Sequence, residues 1–150
     1  MSIIATEPVE VHSGELADVR DEGQVVVLDG GHTVVHSNGS AVVHAGGHAL
    51  VLGWGFAEVL NGGHADVHDG GRAAVRDGGH ANVLEGGYAG VCPGGRADVR
   101  FGGEAVVLNG GRANVWFGGQ AVACPTAEIY HAAMMASVTR CEHAGCRWAD

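Results

Sequence analysis

Apolar and polar residues alternate along this chain in short bursts that restart every eight residues. Valine returns at every eighth position from Val11 to Val115, and from Ala41 to Ala121 each such slot is preceded two residues earlier by alanine. The unit reads Gly-Gly-x-Ala-x-Val-x-Asp/Asn, as in GGHADVHD (62–69) and GGRAAVRD (70–77). Alternation at period two is the mark of a strand with one buried face, so alanine and valine are the inward pair and the variable positions between them face outward. Asp or Asn followed by Gly-Gly supplies the turn, because the Asx side chain bonds nearby backbone and glycine accepts positive φ without a Cβ penalty. Asp29, Asn61, Asp69, Asp77 and Asn109 occupy that slot, as turn formers in preference to calcium ligands.

Stacked repeats of this kind predict an all-β fold, a β-solenoid. The outward positions report how many strands make one coil. Taking alternate units, the position after the glycine pair runs His32, His48, His64, His80, Arg96, Arg112, and the next outward position ends Asp66, Asn82, Asp98, Asn114. The intervening units carry Val26, Val42, Ala74, Gly90, Val106 and Val122 there, with Glu58 as the exception. Phe101 and Phe117 keep the same spacing. Two unlike faces and a coil of two octads follow. Leu60, Leu84 and Leu108 recur at three octads instead, which keeps a three-sided, 24-residue coil as the alternative. The inward pair makes a thin core, so backbone ladders must contribute to stability and the apolar outer face calls for cover.

The expected domain layout is an N-terminal cap over 1–7, the solenoid over 8–124 and a helical C-terminal cap and tail over 125–150. After Pro125, TAEIYHAAMMASVTR reads as a short helix with Thr126 at its N-cap and Glu128 in the first turn, placed to protect the open strand edge.

Composition narrows the function classes. The chain has 150 residues and a formal charge of −9, with arginine supplying every positive side chain, so nucleic-acid binding is not expected. No secretion signal or membrane span is legible, and a cytoplasmic protein is the expectation. Glycine, at 27 residues, keeps a strict octad without the proline of collagen.

Several surfaces are candidates for action. The more apolar face, with Val26, Val42, Leu60, Ala74, Val106, Leu108 and Val122, reads as an interface for self-association, making a homo-oligomer, or for an unidentified protein partner. The opposite face carries a histidine ladder, His32, His48, His64 and His80, beside Asp and Asn; it reads as a solvated sheet surface, or as a site for a divalent metal or an anion. In the tail, Cys141, His143 and Cys146, with His131 upstream, form a possible zinc set; otherwise no cofactor is expected. No catalytic constellation emerges: His36 beside Ser37 does not place a nucleophile, a base and an orienting acid together, and no helix follows the glycine pairs to make a phosphate loop. The functional expectation is a non-enzymatic structural or protein-interaction scaffold, with an acidic inhibitor or nucleic-acid mimic as the alternative.

Over residues 8–124 the repeats resemble the short-repeat, A-x-V octapeptide solenoid proteins of actinobacteria and their phages, which implies a β-solenoid fold and no activity. They are also similar to ice-nucleation repeats without the Thr-x-Thr ladder, to the calcium-binding nonapeptide β-roll without its Gly-x-Asp, and to hexapeptide helices in the small-x-aliphatic inward pair.

Overall fold

The computed structural model describes residues 2–3, 8–131 and 136–140. Its strands alternate between two parallel sheets of nine, so that each octad crosses the molecule once and two octads complete a coil. His64 faces His80 across one ladder and His80 faces Arg96 across the next; on the other sheet Arg72 faces Tyr88 and Tyr88 faces Glu104. The step is sixteen residues. The three-sided alternative is thereby excluded: Leu60 and Leu108 border the second sheet while Leu84 borders the first, so their 24-residue recurrence makes no ladder. With strands about 4.8 Å apart, nine per sheet give a rod roughly 38 Å long.

Between the sheets lie two columns of side chains. The valines at every eighth position from Val11 to Val115 are all sealed from solvent, and the alanines at every eighth position from Ala41 to Ala121 pack beside them. Thr33 occupies an alanine slot at no polar cost, since its hydroxyl donates to the Ala17 carbonyl at 3.1 Å. Small side chains let the sheets approach closely, and valine, stiff at χ1, fits the pleat.

The turns stack as regularly as the strands. Gly30 N–H donates to the Gly46 carbonyl and Gly46 to Gly62, at 3.0 Å each, so the hydrogen-bond ladder continues around the corner. The two edges of the rod nevertheless differ. Where the second sheet passes to the first, each turn from Ser13-Gly14 to Asn109-Gly110 has positive φ only at its glycine, the pattern of a type II turn, and Pro93 fits its first position because its ring already holds φ near −65°. Where the first sheet passes to the second, the first four turns among the described residues have positive φ at both positions: Asp21-Glu22, Ser37-Asn38, Gly53-Trp54 and Asp69-Gly70. From Glu85-Gly86 onward this edge also has positive φ at glycine alone.

The second glycine of each pair answers a different demand. A Cβ at Gly95 would lie 2.6 Å from the Val75 carbonyl oxygen of the preceding coil, inside any tolerable contact, and that oxygen already accepts from Cys92 N–H at 2.8 Å. The backbone of one coil therefore rests on the corner of the last. The Asx residues act between coils too: Asn109 Oδ1 accepts from Thr126 N–H in the next turn at 3.1 Å.

The C-terminal helix is overturned. Pro125 and Thr126 form a turn, and Glu128–His131 and Ser137–Arg140 add one more strand to each sheet, the last after a step of seventeen residues (Gln120 facing Ser137). Ile129 and Val138 pack against the core from the alanine column. The open edge of the preceding strand offers a row of unmet donors and acceptors, which outweighs the modest helix propensity of the segment. At the other end Ser2–Ile3 pairs with Asp18–Val19, so the solenoid ladder extends beyond the expected 8–124 at both ends.

Candidate functional site

The outward columns of the first sheet bring the histidines together. Because this column repeats every coil, His32, His48, His64 and His80 stand one strand spacing apart. Their ring centroids are separated by 5.7, 5.1 and 4.9 Å; His48 and His64 are stacked at 16°, and the flanking pairs meet edge to face. All four predicted ladder residues therefore form one line.

The neighbouring outward column supplies the acids. Asp66 sits diagonally between two histidines, with His48 Nε2 3.1 Å from its Oδ2 and His64 Nε2 3.2 Å from its Oδ1. Asn82 Nδ2 donates to Asp66 Oδ1 at 2.9 Å and fixes that carboxylate. Burial raises the Asp66 pKa, but the bond from Asn82 and the charges of His48 and His64 outweigh it and hold the carboxyl below its ordinary value. One coil pair later, His80 Nε2 meets Asp98 Oδ2 at 2.9 Å, and Asn114 donates to the other Asp98 oxygen at 2.6 Å. Ligand atoms of His48, His64 and Asp66 all lie within 4.8 Å of one another; among the described residues this is the one such group of three with metal-ligand chemistry.

The second sheet is less open than its sequence suggests. Val26, Val42, Leu60, Val106 and Leu108 are half-buried and Val122 is 39% exposed, but Ala74 is only 1% exposed and offers little to a partner. Across the middle of this face Arg76 Nε pairs with Glu58 Oε1 at 2.8 Å, and the Arg72 guanidinium lies 5.6 Å from the centre of the Tyr88 ring. These contacts divide the apolar column into one block at Val26 and Val42 and another at Val106 and Val122.

Sequence reasoning used Phe101 and Phe117 only as markers of period. They project from stacked turns on one edge, rings 6.3 Å apart and nearly parallel, 60% and 53% exposed, and beside them Arg100 lies 5.2 Å from the Trp116 ring centre. Aromatic residues in turn slots, where no core position requires them, are the signal that would have found this edge.

Cys92 and Cys124 stand two coils apart, about 9.6 Å by strand spacing, too far to form a disulfide with each other. Of the proposed zinc set in the tail, Cys141, His143 and Cys146 lie outside the described residues, and His131 is described only as the last residue of Glu128–His131. Among the described residues, no helix is long and apolar enough to cross a membrane.

No family model and no curated protein matches the chain. Among solved structures, it is similar to the crystal structure of the TibC-catalyzed hyper-glycosylated fragment 55–350 of TibA, with a TM-score of 0.51 and 20% identity over 91% of this chain and 79% of that one. At that identity the likeness concerns the fold alone, and together with the sixteen-residue register it makes the chain an all-β, two-sheet β-solenoid.

Proposed function

We propose that the chain is a non-enzymatic, rigid scaffold that pairs with a second copy of itself through the outward face of the second sheet. The observation that carries this reading is the symmetry of that face. From the centre of its outward column at Ala74, Val42 and Val106 lie two coils away on either side, and Val26 and Val122 three. A two-fold axis through Ala74 of both copies sets each apolar block against the opposite block of its partner, which is what an isologous interface requires. Rigidity is supported by hydrogen bonds that run from coil to coil through strands and turns alike. The acidic-mimic reading is less favoured, because Asp18, Asp66 and Asp98 are engaged by histidines, and Glu58 and Glu128 by arginines.

Light scattering on the purified chain tests this directly. Wild type is expected to be a dimer at micromolar concentration and the V106D/L108D variant a folded monomer. A cysteine at position 42 combined with one at 106 on a separate copy should crosslink, whereas V42C alone should not. A monomeric wild type at high concentration, or association unchanged in V106D/L108D, sinks the reading.

A further inference from the structure

The histidine ladder repeats one geometry several times, yet its chemistry changes from coil to coil. Each instance comprises two neighbouring residues of the histidine column and the residue diagonal to them in the acid column. Reading upward, these sets are His32, His48 and Leu50; then His48, His64 and Asp66; then His64, His80 and Asn82; then His80, Arg96 and Asp98. Leucine offers no ligand, an amide is a poor one, and arginine is a fixed cation. Only the second set holds two imidazoles and a carboxylate.

We propose that His48, His64 and Asp66 form a binding site for a divalent transition metal, zinc above all, with a fourth position open to solvent or to a ligand from a bound partner. Tetrahedral zinc with bonds of about 2.0–2.1 Å separates its ligands by roughly 3.3 Å. Each imidazole already lies near that distance from one of the two Asp66 oxygens, His48 Nε2 from Oδ2 at 3.1 Å and His64 Nε2 from Oδ1 at 3.2 Å, and one ligand atom from each of the three residues lies within 4.8 Å of the others. Little movement beyond side-chain rotation is needed. Binding replaces the two imidazole–carboxylate hydrogen bonds: each Nε2 gives up its proton and presents a lone pair, with the ring proton moved to Nδ1, while Asn82 continues to hold Asp66 Oδ1. The two rings stand one strand spacing apart and nearly parallel, so each must turn about its own side-chain torsions for the two Nε2 lone pairs to converge on the metal. His64 Nε2 also lies 3.3 Å from Asn82 Nδ2, so that amide must turn slightly as the metal enters. A soft thiolate is not part of this set, and the chemistry suits zinc, cobalt or nickel rather than calcium or magnesium.

Cobalt and zinc titrations of the full chain test the site. Cobalt spectra separate a nitrogen and oxygen site from thiolate sites, including any made by the cysteines. Zinc binding is expected to leave no thiolate signature in the cobalt analogue, and to weaken at least about tenfold in H48N, H64N and D66N. H32N and H80N, in the same ladder but outside the set, should change affinity less than about twofold. Circular dichroism establishes that each variant stays folded. The R96H substitution completes the fourth set, and should add a second, independent zinc equivalent. The proposal is overturned if H32N and H80N weaken binding as much as H48N and H64N, if C141S/C146S alone abolishes it, or if R96H adds no metal. Because light scattering in the absence of metal reads self-association separately, failure of the site leaves the scaffold reading untouched, and the reverse.

Discussion

The two sheets share an interior and differ in what they show to solvent. Inward they are interchangeable: Val83 on the first and Val91 on the second are equally sealed, each beside an alanine. Outward, the first carries imidazoles and carboxylates in register, the second valines broken by the Glu58–Arg76 pair. A rod of this kind separates specification of the fold from specification of the surface. Core columns tolerate almost no variety, and outward columns are free to become an interface on one side and a ligand site on the other.

The largest effect is expected where both sheets depend on one corner. G95A should cost about 3 kcal/mol or more, because the new Cβ displaces the Val75 carbonyl and breaks its bond to Cys92 N–H. Urea unfolding checks it; a cost below about 1 kcal/mol would mean that the coils can part without penalty.

Next comes the equivalence of the interiors. V83A and V91A should each cost about 2–3 kcal/mol and agree within about 0.5 kcal/mol, since both empty the same kind of slot. Unequal losses would show that one sheet carries more of the core than the other.

The outer faces should then separate. In chelator-treated protein D66N should cost about 1–2 kcal/mol at neutral pH, because Asp66 is half-buried and accepts from two imidazoles and an amide. E58Q should cost no more than about 0.5 kcal/mol, its partner Arg76 being exposed. The folded-state pKa of Asp66 lies below its unfolded value, so its stabilisation is complete above about pH 3.9 and is lost as the pH falls through the folded value. The D66N penalty should fade over that acid range, and a penalty that persisted there would point to packing instead of charge.

A change of the opposite sign belongs to the irregular edge. Trp54 holds φ at +68° and is 76% exposed, so W54G should stabilise by about 1 kcal/mol. No gain in melting temperature would mean that the indole makes contacts that offset its backbone strain.

Much of this was legible in the residues. The octad, the inward Ala and Val columns, the turn role of the Asx-Gly pairs and the sixteen-residue coil all follow from side-chain period, because a buried column can be read wherever only one size fits. The C-terminal strands were misread, although Ile129 keeps the phase of the alanine column and Ala127 that of the second glycine; local helix propensity masked a continuing register.

By itself, then, the sequence determined that the chain repeats, which residues point inward and which ladders exist, since these are properties of a one-dimensional pattern. Only the tertiary structure decided that Asp66 lies between His48 and His64, that Ala74 is covered while Phe101 and Phe117 are not, and that the last segments extend the sheets. Those facts depend on diagonal contacts between coils and on an open strand edge, and neither exists until the chain has wound on itself.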